Sequence, residues 1–251
     1  MTNLKQKISI SVIIFSFIFA AYSEVFKIDM VKLPDQNIIM LTTEVTQELY
    51  EKVMGENPSK FQGNRNLPAD GEKQSKRPVD QVSWYDAIYF CNKLSKFAKK
   101  TPVYSVDGIT DVKKWNYEPH KGYTIKGTVE QKLNANGYRL PTVEEWQNAA
   151  RGGKDFKYSG SNNFDEVSWC VGNSSDQTHE VGKKKANNYG LYDMSGNVQE
   201  WCWDSDGSKE RCSCGGAWDS YDYFCKVVNF GERYPEYQYY SIGFRIVRSA
   251  E

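Results

Sequence analysis

The chain has 251 residues, of which 39% are hydrophobic, so it is long enough and apolar enough to bury one sizeable core. Its 32 basic and 32 acidic residues cancel to a formal charge of zero. This balance provides no electrostatic attraction to nucleic acid or to an anionic membrane surface, and we expect neither as a partner.

The N-terminus has the pattern of a secretory signal. Lys5 and Lys7 precede an apolar run over residues 8–21, and Ala21-Tyr22-Ser23 supplies small residues at the positions that a signal peptidase reads. A retained anchor is the alternative, but the run is shorter than the roughly 20 residues of a spanning helix. We therefore predict a signal peptide over 1–23, export to the periplasm or cell surface, no membrane span after cleavage, and one domain over 24–251.

The first part of the mature chain predicts a strand and then a helix. Short alternating apolar segments in residues 25–39 favour an opening strand, with a turn at Pro34. Thr46 is placed to cap a helix that ends at Gly55. Residues 56–79 are rich in Asn, Pro, Gly and Lys, which is typical of a long surface loop.

Two further helices are predicted from capping boxes. Ser83 is followed three residues later by Asp86, and Thr142 is followed in the same way by Glu145. Each helix then continues with apolar residues at helical spacing. Both carry a tryptophan that we expect to anchor the core: Trp84 and Trp146.

An even number of cysteines lies in the predicted mature part, namely Cys91, Cys170, Cys202, Cys212, Cys214 and Cys225. Disulfides are expected in an exported chain, but six cysteines allow 15 pairings and the sequence does not choose among them. Cys212 and Cys214 flank a single residue, which is too tight for an easy mutual bridge.

The central stretch 189–201 reads Y-G-L-Y-D-M-S-G-N-V-Q-E-W and fits neither a period of 3.6 nor a period of 2. It predicts a folded loop. A turn at Ser-Gly-Asn would bring the carboxylates of Asp193 and Glu200 together with intervening carbonyls, a ligand set suited to Ca²⁺. The alternative is that these carboxylates cap turns or pair with Arg245 or a lysine.

Six blocks of sequence, in order, resemble the sulfatase-modifying-factor family, also called the formylglycine-generating-enzyme-like family. They are E-V-T-Q-E-L-Y (44–50), R-P-V-D-Q-V-S-W-Y-D-A (77–87), Y-R-L-P-T-V-E-E-W (138–146), A-A-R-G-G (149–153), G-L-Y-D-M-S-G-N-V-Q-E-W (190–201) and G-F-R-I-V-R (243–248). The resemblance implies a single α+β domain with a C-type-lectin-like fold and much irregular structure. It also implies a calcium site with Asp193 and Glu200 as side-chain ligands and Gly196 and Val198 as carbonyl ligands.

The family's oxidase activity is in doubt for this chain. Formylglycine-generating enzymes oxidise a cysteine of a client sulfatase with two thiols that bind copper(I), placed five residues apart after a G-G-S-aromatic block. The block here is G-G-A-W (215–218), and the matching positions hold Ser220 and Cys225. Because a hydroxyl lacks the polarisable sulfur that copper(I) requires, we predict no catalytic residue. If the chain were an oxidase, Cys225 would be its remaining thiol and copper its cofactor.

The two histidines, His120 and His179, lie in polar stretches without metal-ligand spacing. We expect both to be exposed. Their placement also argues against the iron-dependent sulfoxide synthases that share the fold, because those enzymes need histidine ligands.

Residues 219–240 are rich in tyrosine interleaved with Asp, Ser and Gln. Such composition is typical of adaptable binding surfaces, since tyrosine provides contact area at low entropic cost. The alternative is a pair of aromatic core strands. We predict a solvent-facing ligand-binding surface made of Asp219, Ser220, Tyr221, Tyr223, Phe224, Tyr239 and Tyr240.

The placement of this segment, between G-G-A-W and G-F-R, resembles the variable proteins of bacterial diversity-generating retroelements, which use the same fold. We therefore predict an exported, non-catalytic binding protein whose partner is a protein or a glycan. The alternatives are a formylglycine-generating oxidase and a structural envelope protein whose aromatic segment is core.

Overall fold

The computed structural model describes residues 28–132, 134–205, 207 and 209–250. The predicted signal peptide over 1–23 lies outside this range. Within the described residues, no helix is both long and apolar enough to cross a membrane.

Three of the four helices in the described residues begin at the caps predicted from the sequence, and the short fourth helix was not predicted. The four helices are α1 (Gln47–Met54), α2 (Trp84–Phe97), α3 (Val143–Arg151) and the short α4 (Phe164–Val167). The side chain of Thr46 accepts a hydrogen bond from the amide of Leu49, and Gly55 ends α1 in the left-handed conformation. Both predicted capping boxes, at α2 and α3, are present.

The strands form three small sheets among the described residues. β1 (Met30–Lys32), β2 (Ile38–Leu41) and β9 (Val247–Ser249) make an antiparallel sheet in the order β1-β2-β9. The predicted opening strand is β1, and the predicted turn at Pro34 leads into β2, so that the two strands form a hairpin. This sheet joins the two ends of the described chain.

The other two sheets hold the middle of the chain and the predicted site. β3 (Tyr104–Val106) and β4 (Val129–Gln131) form a two-stranded sheet. β5 (Gln199–Trp201), β6 (Arg211–Cys214), β7 (Phe230–Arg233) and β8 (Ile242–Gly243) form a sheet in the order β7-β6-β5-β8. β5 and β8 run parallel, and the other neighbours are antiparallel.

Buried tryptophans join these elements, as expected. The indole of Trp84 donates to the carbonyl of Cys202 at 2.9 Å, and the indole of Trp201 donates to the carbonyl of Val82 at 2.9 Å. Trp146 packs in a second cluster with strand residues that include Cys212 and Cys214. Much of the remaining backbone is irregular, and long-range contacts of this kind fix its position.

Candidate functional site

Exposed aromatic rings lie on the loop between β6 and β7 and at the start of β7. Tyr221, Tyr223 and Phe224 are 69%, 57% and 56% exposed, and Phe230 at the start of β7 is also exposed. We call these four rings the aromatic surface. The prediction that residues 221, 223 and 224 face solvent is confirmed.

The prediction of exposure is wrong for Tyr239 and Tyr240, which are half-buried. Tyr239 packs against the main core cluster, and the Tyr240 ring lies 5.6 Å from that of Trp218. The two hydroxyls hydrogen-bond to each other. Their polar neighbours in sequence did not reveal that the chain folds back at this point toward Trp218.

A pocket of about 350 Å³ opens beside the aromatic surface. Its lining includes four of the predicted ligand-binding residues: Asp219, Ser220, Tyr221 and Phe224. It also includes residues outside the predicted set: Gln199, Asn229, Phe230, Gly231 and Arg233. Asp219 is half-buried, and burial raises the pKa of its carboxyl. The pocket thus combines aromatic side chains with hydrogen-bond donors and acceptors.

The segment that carries the aromatic surface is held by hydrogen bonds at its base. The amide of Trp218 donates to the carbonyl of Asn197 at 2.9 Å, and the amide of Val171 donates to the carbonyl of Ser220 at 3.0 Å. The hydroxyl of Tyr158 donates to the carboxylate of Asp222 at 3.0 Å. These hydrogen bonds fix the backbone of the segment from which the exposed rings extend.

The two positions that match the family's thiol pair lie in different surroundings. Ser220 lines the pocket, and its hydroxyl accepts a hydrogen bond from the amide of Ala217 at 3.0 Å. Cys225 is fully buried. A Cβ at Gly216 would lie only 2.7 Å from the Cys225 sulfur, so this glycine allows the segment to pack closely over the thiol.

The thiol of Cys225 contacts a cysteine that is distant in sequence. A hydrogen bond joins it to Cys170, and this bond lowers the pKa of Cys170 to about 7 despite burial. The same bond, together with burial, raises the pKa of Cys225 well above its usual range. All six cysteines are buried and unbridged in the structure.

The central stretch is organised by a buried ion pair. The guanidinium of Arg245 donates to both carboxylate oxygens of Glu200, at 2.8 Å from Nε and 2.7 Å from Nη2. The indole of Trp146 donates to the same carboxylate at 2.6 Å. Both oxygens of this predicted calcium ligand are therefore occupied by protein donors, which corresponds to the pairing with Arg245 that the sequence left open.

Two other carboxylates near this pair lack full partners. The Oδ2 atom of Asp193 accepts from the amide of Gly182 at 2.6 Å, whereas its Oδ1 atom is buried without a hydrogen bond. Both oxygens of Glu44 are likewise buried and unpartnered. Burial, with the negative charges of Asp193 and Glu200, raises the pKa of Glu44, and burial raises the pKa of Asp193 to about 6.

The residues of this stretch therefore fit a calcium ion only in part. Buried oxygens without partners at Asp193 and Glu44 suit a hard cation, while Glu200 is committed to Arg245. At Gly196, φ is +80° and a Cβ would lie 2.1 Å from the Trp169 carbonyl, so only glycine fits. Val198 is buried, and its side chain faces Gly243. Among the described residues, no three side chains of His, Cys, Asp or Glu form a metal-binding group.

The prediction that both histidines are exposed is wrong. His179 is buried and stacks on Trp169 with ring centroids 3.7 Å apart, and its Nδ1 lies 2.9 Å from the Glu72 carboxylate. His120 is mostly covered, with Nε2 lying 3.1 Å from the Tyr50 hydroxyl. Polar sequence neighbours indicated exposure, but contacts distant in sequence determine burial.

Comparison with known proteins relates this fold to a family. The family model described as sulfatase-modifying factor enzyme 1-like domain matches residues 26–250. The chain is 42% identical over 204 residues to chaperone protein LppX of Paenibacillus barcinonensis, covering 70% of this chain and 68% of that protein.

Two solved structures share the fold at appreciable identity. Treponema denticola variable protein 1 superposes with a TM-score of 0.77 and 36% identity, covering 88% of this chain and 92% of that one. CarF superposes with a TM-score of 0.68 and 30% identity, covering 85% and 87%. The predicted mixed α+β fold is thereby confirmed.

Proposed function

As the chain belongs to the family of sulfatase-modifying factor enzyme 1-like domains, we propose that it is an exported, non-catalytic binding protein that presents the aromatic surface to a protein or glycan. The observation that carries this proposal is the exposure of the four rings of the aromatic surface, three of which line a pocket together with Asp219 and Arg233. Exposed apolar groups clustered in one place and bordered by polar groups mark interaction sites.

The chemistry of these residues supports binding. Tyrosine and phenylalanine contribute large contact areas with few rotatable bonds, and they are enriched where binding energy is concentrated. Asp219 and Arg233 beside the rings supply an acceptor and a donor for orienting a ligand. Because hydrogen bonds fix the base of this segment, little ordering entropy is lost on binding.

The surroundings of Ser220 and Cys225 support a non-catalytic role. A client peptide needs access to a reactive thiol, but Cys225 is fully buried beneath Gly216. Cys170 places a second thiol against Cys225, yet it is buried as well. A copper-dependent oxidase of the family's type would need this pair to open to solvent.

Similarity to Treponema denticola variable protein 1 supports a further part of the proposal. We propose that residues 219–240 form a diversified segment, because they contain the aromatic surface and most of the pocket lining while the flanking blocks build the scaffold. Sequencing the gene in independent isolates tests this idea. Differences concentrated in codons 219–240, with a nearby reverse transcriptase and template copy, are expected; uniform or absent variation contradicts it.

A calcium ion at the central stretch is proposed as a structural cofactor. The unpartnered oxygens of Asp193 and Glu44 support a cation at this place, and carbonyl ligands from Gly196 and Val198 would complete it. Glu200 would act by holding Arg245 and thus orienting the surrounding loop. The ion would stabilise the scaffold from which the aromatic surface extends.

The binding proposal is tested with two defined probes, a glycan array and a displayed library of random peptides. We expect selected ligands to lose affinity at least tenfold with Tyr221→Ala or Phe224→Ala. Tyr123→Ala is the matched control, because Tyr123 is 58% exposed but lies in another part of the chain, beside a different pocket. Ligands that bind all three variants equally, or no ligand for the wild type, would contradict the proposal.

A further inference from the structure

Two cysteines separated by 54 residues of sequence meet below the aromatic surface. Cys170 follows α4, and Cys225 ends the short 3-10 helix Asp222–Cys225. Both side chains belong to one small buried cluster with Tyr158 and Val167, where each thiol alters the pKa of the other. Both side chains are almost completely shielded from solvent.

The backbone on either side of the two thiols is already joined. The amide of Val171 donates to the carbonyl of Ser220 at 3.0 Å, and the hydroxyl of Ser174 donates to the carbonyl of Trp218 at 2.9 Å. Two loops without regular secondary structure are therefore held side by side. A covalent bond between their thiols would require little change in this arrangement.

We propose that Cys170 and Cys225 are joined by a disulfide during oxidative folding, and that this bond fastens the loop 168–174 to the base of the aromatic surface. The linked segment includes Tyr221, Tyr223 and Phe224. The disulfide would restrict the unfolded chain and keep these rings in one arrangement. This inference concerns a modification site and does not depend on the nature of the ligand.

The reaction needs a disulfide oxidant, such as oxidised glutathione or a thiol–disulfide oxidoreductase. The thiolate of Cys170 attacks one sulfur of the oxidant and releases one thiolate, leaving a mixed disulfide. The thiolate of Cys225 then attacks the Cys170 sulfur and releases the second thiol. Two protein thiols are oxidised, one disulfide is reduced, and two protons pass to the released thiols. Oxidation precedes closure of Gly216 over Cys225.

The second thiol pair provides a contrast. The sulfurs of Cys202 and Cys214 are 3.7 Å apart, but these residues lie in and next to the paired strands β5 and β6, which backbone hydrogen bonds already join. A disulfide between Cys202 and Cys214 would tie strands that the ladder already holds, whereas one between Cys170 and Cys225 would join two irregular loops. We therefore expect the structural disulfide at Cys170 and Cys225.

Peptide mapping of the full chain tests the proposal. The chain is unfolded in urea, refolded in reduced and oxidised glutathione, alkylated, and digested with trypsin and an endoproteinase that cleaves before aspartate. This digestion places Cys170 in the peptide 165–175 and Cys225 in the peptide 222–226, so that Cys225 is separated from Cys212 and Cys214. We expect these two peptides to be linked by a disulfide and to separate after reduction.

Variants and stability complete the test. Cys170→Ser and Cys225→Ser should remove the link, whereas Cys91→Ala should retain it. Dithiothreitol should lower the melting temperature of the oxidised wild type by about 5 °C or more and leave Cys170→Ser unchanged. The proposal would be overturned if Cys170 and Cys225 of the refolded wild type were found alkylated, which shows that they had remained free thiols. A link found only between Cys202 and Cys214 would overturn it as well. Because the peptide map requires no ligand, its outcome is independent of the outcome of the binding test.

Discussion

Arg245 and Glu200 form a fully buried ion pair with two hydrogen bonds, one from Nε and one from Nη2 of the guanidinium. The same guanidinium donates to the carbonyls of Leu41 and Tyr192 at 3.1 and 2.9 Å. One side chain thus joins strand β2, the central stretch and the C-terminal G-F-R block. The scaffold under the candidate site depends on this junction.

Replacing Arg245 should destabilise the protein strongly. Arg245→Met leaves the Glu200 carboxylate buried without a counter-charge, and we expect a loss of about 3–5 kcal/mol in unfolding free energy. Lys96→Ala is the matched control: its pair with Asp111 has a similar distance of 2.8 Å but is exposed, so the loss should stay below about 1 kcal/mol. Urea titration measures both. Equal losses would contradict the role of burial.

The buried carboxyl of Asp80 should make stability fall as pH rises. Burial raises its pKa from the usual 3.8 to about 7. Between these values the native state holds a proton that the unfolded chain has released, so the unfolding free energy should decrease by up to about 1.4 kcal/mol per pH unit. Asp80→Asn should flatten this slope between about pH 4 and pH 7. Asp111→Asn should not, because the Lys96 pair lowers the pKa of that exposed carboxyl.

Calcium should stabilise the fold if the proposed site is occupied. A ligand that binds only the native state adds about 2.7 kcal/mol at a hundredfold excess over its dissociation constant. The gain should be larger at pH 8 than at pH 5, because protons compete for Asp193, whose pKa is about 6.

Thermal melting with calcium and with a chelator measures this effect. Glu44→Gln and Asp193→Asn should each reduce the response, while Glu130→Gln on β4 is the control. Glu200→Gln is unsuitable because it also removes the partner of Arg245. A wild type that melts identically with chelator and with calcium would contradict the assignment.

Alanine variants should separate the aromatic surface from the core. Tyr221→Ala and Tyr223→Ala remove exposed rings, so we expect changes within about 0.5 kcal/mol in unfolding free energy. Tyr104→Ala removes a fully buried ring and should cost about 3–5 kcal/mol. Half-buried Tyr239 should give an intermediate loss. Denaturant midpoints that rank Tyr221 with Tyr104 would place the aromatic surface in the core.

The chain should not generate formylglycine. With Ser220 at the position of the first thiol and Cys225 buried, a copper(I)-loaded sample should leave the cysteine of a sulfatase-type peptide unchanged. Mass spectrometry of the peptide detects the aldehyde. Conversion that disappears in Cys225→Ser would show that the thiol pair with Cys170 opens and that the oxidase alternative is correct.

Local rules in the sequence accounted for the three longer helices and their caps. Ser83 and Thr142 are each the N-cap of a helix. Asp86 and Glu145, three residues later, complete the two capping boxes, so each interaction lies within one helical turn. Gly55 and Gly152 end helices because their backbone adopts a left-handed conformation. The exposure of Tyr221, Tyr223 and Phe224 also followed from composition, since their neighbours are polar.

Only the tertiary structure decided which distant groups meet. The contact of Cys170 with Cys225, the stacking of His179 on Trp169 and the approach of Glu44 to Asp193 leave no periodic or local pattern in the sequence. Each depends on irregular loops whose paths are set by packing and by backbone hydrogen bonds to remote segments. Burial of a side chain follows from those paths, so the structure encloses His179 although its polar neighbours in sequence predicted exposure.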